Sequence, residues 1–359
     1  MIGKSDALDI MRQVLSSSKA EQTEVVLEGD RLSLTRFAES KIHQNIDSEE
    51  TKLYIRTIRD KKISVIATGD ISEEGIKKAL EAGEEMFHFM VPDENFVSLP
   101  ASDPTPLTEN LISEGTAAFG PKKRAEAVRK VCKIASGEKL EASGAFRIEE
   151  KMLAVANSLG MERYCVGNNG ELSITLSGAA GNSGWSKEYN PDVSKIDFSG
   201  LAQKAARKAN LSISPILLPD DKYTVILEPE AVGQLLLLLS FMGFGCKTLH
   251  QGRSFMAGKI GEKITGDNFT VYEDPVDKSF KMIPFDYEGV PRRKVSLIAD
   301  GCAEGVVYNS YYGNLMQSAS TGHALAPTNS YGPYPKAMSV MTGDSSLDEM
   351  IESTEKGVL

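Results

Sequence analysis

Residues 230–259, EAVGQLLLLLSFMGFGCKTLHQGRSFMAGK, hold the longest apolar run in the chain, with five leucines from Leu235 to Leu239 leading into Ser240, Phe241 and Met242. Whether this run crosses a membrane or sits in a protein core decides the fold class. A spanning helix needs about 20 consecutive apolar residues. The run from Ala231 to Cys246 is shorter and is interrupted by Gln234, Ser240 and glycines. It therefore predicts a helix that starts near Pro229, in the EPE of 228–230, and is buried on nearly all sides. It is not a membrane anchor.

The bulk properties agree with a soluble fold. A chain of 359 residues is long enough for two or three domains, each with its own core. Its 41% hydrophobic and 25% charged residues match an ordinary globular protein, which argues against wholesale disorder. The formal charge of −10 argues against non-specific nucleic-acid binding, which needs dense Lys and Arg. The short basic runs at 122–124 and 292–294 are read as solvated faces. Cys132, Cys165, Cys246 and Cys302 lie far apart with no CxxC pair, which suits a reducing cytoplasm rather than a disulfide framework. Lys4, Asp6 and Asp9 break up any apolar stretch at the N-terminus, so no signal peptide is expected.

Outward from the leucine run, the pattern is α+β. A helix over 5–16 has a Ser5/Asp6 cap, and strands follow at 24–28, 31–37, 51–59 and 62–68, with EGD at 28–30 as a hairpin turn. Asp70 and Glu73 have capping-box spacing before a second helix. Residues 91–120, rich in Pro, Ser, Thr and Asp, form a connector. Helices are expected from Pro121 to about Ala135 and over 198–210, with strand-like segments between them. The clearest boundary is SISPILLPDDKY at 212–223, followed by the strand YTVILE. The expected organisation is an N-terminal α+β domain, 1–217, with sub-lobes of about 1–100 and 117–217, and a β-rich C-terminal domain, 218–359. Irregular strand and helix spacing argues for mostly antiparallel sheets.

Residue by residue, the chemistry is sparse. His43, His88, His250 and His323 are isolated, and no HExxH occurs. Cys246 and His250, four apart, would share a face if the helix ran on through them; they are weak metal candidates, since a site needs further ligands. The glycines of 178–184 lack a Walker lysine and read as a loop. In GDSS, 343–346, Asp344 and Ser345 read as the cap of the following helix. Asp286, Glu288, Asp300 and Glu304 are carboxylates that the sequence cannot pair across space.

Seven blocks carry a family resemblance: RFAESKIHQN (36–45), PDENFVSLP (92–100), ANSLG (156–160), LEPEAVGQLL (227–236), GRSFMAGKIGEKI (252–264), PFDYEGVP (284–291) and STGHA (320–324). Together, in order over nearly the whole chain, they resemble the TldD/PmbA family, whose members are also described as modulators of DNA gyrase. That resemblance implies a cytoplasmic proteolytic system of two paralogous subunits. The TldD type carries a zinc motif, His-Glu-x-x-x-His, and the TldE (PmbA) type lacks it. Aligned without a gap over Gln234–Gln251, the first His falls on Leu237, the Glu on Leu238 and the second His on Met242. Leucine and methionine supply neither imidazole ligands nor a general base for bound water.

The resemblance thus implies a helix that has lost its chemistry, with apolar packing in place of the site and no cofactor of its own, zinc being expected only in a TldD-type partner. The expected role is a non-catalytic TldE/PmbA-like subunit that pairs with a TldD-type paralogue or with itself. Unfolded peptide is the expected substrate, and no direct nucleic-acid or membrane partner is expected. Arg253 and Ser254 of the GRSFMAGK block are the candidate peptide-binding residues. Two rival readings stand beside it: a regulatory protein acting on a nucleic-acid enzyme such as DNA gyrase, and a hydrolase using Cys246, His250, Cys302 or His323. Family members run on past the helix after GDSS, so the closing β-structure beyond EKGVL is expected to be affected.

Overall fold

The structure, a computed structural model, describes residues 1–277 and 279–359. Helix α1 (Lys4–Ser17) leads into strands β1 (Gln22–Ala38), β2 (Lys41–Arg59) and β3 (Lys62–Thr68), and then α2 (Glu73–Met86). After the connector come β4 (Asn110–Leu111), the short α3 (Glu114–Ala117), α4 (Pro121–Gly137), β5 (Glu141–Asn157), β6 (Glu162–Ser177), β7 (Ser183–Asn190) and α5 (Phe198–Leu211). The last part holds β8 (Thr224–Val225), α6 (Pro229–Met242), α7 (Cys246–His250), β9 (Val271–Glu273), β10 (Val295–Ala299) and β11 (Cys302–Ala303). It closes with α8 (Ser310–Leu315), β12 (Met338–Val340), α9 (Leu347–Glu352) and β13 (Gly357–Val358). The fold class is α+β.

One large sheet organises the N-terminal part, in the order β3-β2-β1-β5-β6-β4 with β7 also on β6. Its long strands pair antiparallel, and only the short β4 runs parallel to its neighbour. Period-two alternation gives the sheet two buried faces. On one face, Val25, Leu27, Leu53, Ile55, Met152 and Ala154 pack against α1 and α2. Further along that face, Phe37, Phe146, Leu172 and Ile174 meet α4 and α5. On the opposite face, Val26, Tyr54, Leu153, Val155 and Cys165 cluster with Phe285 of the C-terminal part. The C-terminal part has its own core, which includes Leu236, Phe244, Cys246, Val271, Leu297 and Val307, around a four-stranded sheet ordered β11-β10-β9-β12.

Several local expectations are corrected. EGD at 28–30 is not a turn: β1 continues through it, paired with β2 on one side and β5 on the other. At Gly29 a Cβ would lie 3.1 Å from the Met1 side chain and 3.3 Å from that of Met152, a tight fit against two flexible side chains. The hairpin turns fall instead at Glu39–Ser40 and Asp60–Lys61. Each is a two-residue loop with both φ values positive, the geometry whose twist matches the flanking strands. The α1 cap is Gly3, with no side-chain bond. Ser72, not Asp70, caps α2, and Asp70 holds the Ser72 hydroxyl. Ser346 caps α9 in a capping box with Glu349, in place of Asp344 and Ser345. Of YTVILE only Thr224–Val225 is strand, in a parallel pair with β13.

The largest correction concerns the leucine run. It is helical from Pro229, but only Leu236 and Ser240 are buried. Leu235, Leu237, Leu238, Phe241 and Met242 are each 41–56% exposed. The core contacts one face of α6, through Leu236 with Val232 and Leu239, and the other face is uncovered. Uniform hydrophobicity hid this one-sidedness, because an all-apolar helix carries no polar face to mark the solvent side. Among the described residues, no helix is long and apolar enough to cross a membrane.

Phe146 sits fully buried between Phe119 and Phe198, at ring-centroid distances of 5.4 and 5.6 Å. Phe146→Ala should therefore cost about 3–5 kcal/mol in urea denaturation, as for other buried aromatic truncations. A loss below 1 kcal/mol would contradict this packing.

Candidate functional site

Helix α6 ends because Gly243 and Gly245 admit close neighbours. A Cβ on Gly243 would lie 2.0 Å from the Phe255 ring, and one on Gly245 would lie 2.1 Å from the Pro333 carbonyl oxygen. The chain reverses there, buries Phe244 edge-on to Phe255 (5.3 Å) and restarts as α7. Ser254 locks the reversal: its hydroxyl donates to the Gly243 carbonyl (2.7 Å) and accepts from the Met256 N–H (3.0 Å). Ser254 is buried and committed to the backbone. Arg253 is exposed, its guanidinium bonds the neighbouring Gln251 side chain, and its backbone N–H donates to the Thr248 carbonyl.

The helix breaks at Gly243, but α7 runs from Cys246 to His250, so the two residues sit one turn apart on the same short helix. Cys246 is fully buried and His250 is exposed near Tyr312. Burial pushes the Cys246 thiol up to about 12, so it stays protonated at neutral pH and is a poor nucleophile or ligand. Cys302, on β11, is partly buried. His323 is buried, its Nδ1 2.9 Å from the Thr321 hydroxyl and its Nε2 3.2 Å from Glu273. Burial lowers its pKa despite Glu273, which leaves a neutral imidazole pinning the STGHA loop to β9. These four residues form no common site. Among the described residues, no three His, Cys, Asp or Glu side chains are grouped to hold a metal ion.

The sequence reading missed a buried charged seam between the large sheet and the PFDYEGVP block. Arg56 on β2 lies 2.9 Å from Glu24 on β1, without hydrogen-bond geometry, and 3.7 Å from Glu288. Glu24 is fully buried and Glu288 nearly so. Glu288 also accepts the Ser310 N–H at 2.9 Å. Asp286 accepts the N–H groups of Glu288, Val290 and Ala324 at 2.7–3.0 Å, so it ties its own turn to the STGHA loop. Tyr287 reaches across to Glu28 on β1 at 2.6 Å. One end of the seam opens into a cavity of about 190 Å³ lined by Arg56, Glu288, Leu99, Asn309 and Tyr311. The acidic residues of PFDYEGVP were visible in the sequence, but their partners on β1 and β2 are more than two hundred positions away.

Two family models match this architecture: PmbA/TldA metallopeptidase domain 1 over residues 23–87, and the PmbA/TldA metallopeptidase C-terminal domain over 220–359. The chain belongs to the TldD/PmbA family. Relatives of this TldD/PmbA chain include the metalloprotease TldD homolog of Haemophilus influenzae, 27% identical over 199 residues that cover 54% of this chain and 41% of that protein. The metalloprotease PmbA homolog of the same organism is 23% identical over 284 residues, covering 72% and 59%. The chain thus spans less than two thirds of the length of these curated relatives. The crystal structure of TldE from Thermococcus kodakarensis superposes with a TM-score of 0.86 at 22% identity, over 98% of this chain and 81% of that one. At that identity the likeness is one of fold.

The metallopeptidase name raises the question of a metal on α6. The side chains that the sequence resemblance sets at the motif positions, Leu237, Leu238 and Met242, lie on the uncovered part of the helix and present no imidazole or carboxylate. They do not fit a zinc ion.

Two outcomes test this geometry. Leu238→Gln should change stability by no more than about 0.5 kcal/mol, as expected of an exposed position; a loss of 2 kcal/mol or more, the cost of truncating a core leucine, would mean the helix is enclosed. The second concerns pH. Burial, opposed by Arg56 and reinforced by Glu288 and Asp286, pushes the Glu24 carboxyl up from 4.5 to about 8. The folded chain then holds a proton that the unfolded chain releases, so this group's stabilisation is full at low pH and is lost as pH rises from about 4.5 through about 8. In thermal melts over that interval, Glu24→Gln should show a flatter pH dependence than the parent. Parallel curves would rule the titration out.

Proposed function

We propose that this chain is a non-catalytic, TldE/PmbA-like subunit of a cytoplasmic TldD/TldE-type proteolytic system. It associates with a zinc-bearing TldD-type paralogue, or with itself, and assists cleavage of unfolded peptides. The observation that carries this reading is the chemistry of α6: leucine, leucine and methionine at the positions where the family motif supplies ligands and base. A chain without those groups can neither hold zinc in that place nor activate water there. Its contribution is then association and peptide handling. The uncovered apolar face of α6 supports association, since a contiguous exposed apolar patch is characteristic of an interaction surface.

The test is metal content and peptidase activity of the purified full chain, alone and mixed with a TldD-type paralogue. Alone, it should hold zinc well below one ion per chain and show no chelator-sensitive cleavage. In the mixture the two should co-elute, with zinc following the paralogue and cleavage exceeding that of the paralogue alone. Stoichiometric zinc together with chelator-blocked cleavage by this chain alone would overturn the proposal.

A further inference from the structure

A second cavity, of about 330 Å³, lies on the seam away from α6, between the middle of the large sheet and the segment 280–292. Its volume is within the range of roughly 300–1,000 Å³ typical of ligand pockets. The wall from the sheet includes Leu153, Lys151 and Glu28; the wall from the C-terminal part includes Ile283, Arg292 and Lys336. Arg292 is the unusual group. It is 9% exposed, yet no carboxylate among the described residues lies within ion-pairing distance of it.

Its hydrogen bonds go to carbonyls. Nε donates to Ile283 and Phe285 at 3.1 and 3.2 Å, and Nη1 donates to Gly322 at 3.1 Å. No bond from Nη2 is found among the described residues. The nearby carboxylates are occupied elsewhere: Asp286 by three backbone N–H groups, and Glu273 by the N–H groups of Lys336 and Ala337. A buried cation without an anion is costly, because desolvation is not offset by a partner. Burial accordingly pulls the Arg292 pKa down. Lys336 and Lys151 line the same cavity and add positive charge rather than neutralise it.

We propose that this cavity binds the C-terminal carboxylate of a peptide, with Arg292 as the anchoring cation and Lys336 and Lys151 assisting. The Nη2 N–H groups of Arg292, without a partner among the described residues, can donate to a carboxylate oxygen as a charge-assisted bond. The rest of the lining favours a peptide over a phosphate. Glu28 and Asn169 offer acceptors for peptide N–H groups, and the acidic Glu28 and Glu149 repel a dianion more than a singly charged carboxylate. Leu153, Ile283 and Met282 supply an apolar wall for the terminal side chain. The identity of the ligand rests on the reading of the chain as a peptide-handling subunit; the anion site itself rests on Arg292.

The experiment is fluorescence anisotropy on the full chain, without a partner and without proteolysis, so it does not depend on zinc or on assembly. The probes are one labelled hexapeptide ending in leucine, as the free acid and as the C-terminal amide. The free acid should bind at least about tenfold more tightly than the amide, the expected difference for losing one charge-assisted contact. Arg292→Gln should abolish that preference. Because Arg292 also bonds three carbonyls and its loss can unfold the chain, Lys336→Glu, at an exposed position, is the second variant. It should weaken the acid at least about fivefold and leave the amide unchanged, a charge effect of the size measured for such contacts. Equal binding of acid and amide, no binding of either, or a preference that survives Lys336→Glu would each overturn the proposal. So would displacement of the peptide by inorganic phosphate at lower concentration than by acetate, which would identify a phosphate site.

Discussion

The pairing of β1 with β2 on one side and β5 on the other is the constraint on which the rest of the molecule depends. Thirteen or more consecutive residues of β1 are in register with both neighbours, so a slip by one would turn every side chain to the wrong face. The register places Val25 and Leu27 toward α1 and α2, and Glu24, Val26 and Glu28 toward the C-terminal part. It also joins chain segments on either side of the proline-rich connector into one sheet. Both the helical layer and the C-terminal layer inherit their positions from this strand.

What lies between the sheet and the C-terminal part is partly apolar and partly charged. Phe285 supplies the apolar contact, and Arg56, Glu24, Glu288 and Tyr287 supply the polar one. Buried ion pairs add little net stability, since desolvation offsets most of the attraction, but an unpaired member would be strongly unfavourable. Such a seam therefore specifies one relative placement of the two layers more than it strengthens it. Both cavities of the seam owe their charged linings to this arrangement, Arg56 with Glu288 in one and Arg292 with Lys336 in the other.

Much of the fold was legible locally. The helices at Pro121–Gly137 and Phe198–Leu211 follow from regular apolar spacing, the first with a proline at its first helical position. The antiparallel preference followed from irregular spacing between strands and helices. Failures came where a local signal was ambiguous: EGD has turn composition but is held extended by two neighbouring strands, and the leucine run has no polar face to show its orientation. Of the candidate site, the lack of imidazole and carboxylate at Leu237, Leu238 and Met242 was readable, since chemistry at a position depends only on the residue there. The commitment of Ser254 to the backbone, the burial of Cys246 beside an exposed His250 and the charged seam were not.

The sequence by itself determined the α+β class, the family resemblance and the lack of ligand groups at Leu237, Leu238 and Met242, because each depends on residues close together in the chain. Only the tertiary structure decided that α6 keeps one apolar face uncovered, that Glu24 shares a buried seam with Glu288, and that Arg292 is buried beside a cavity with no carboxylate among the described residues in ion-pairing distance of it. Burial and electrostatics are set by which distant segments come into contact, and those contacts are fixed here by the register of β1 with β2 and β5.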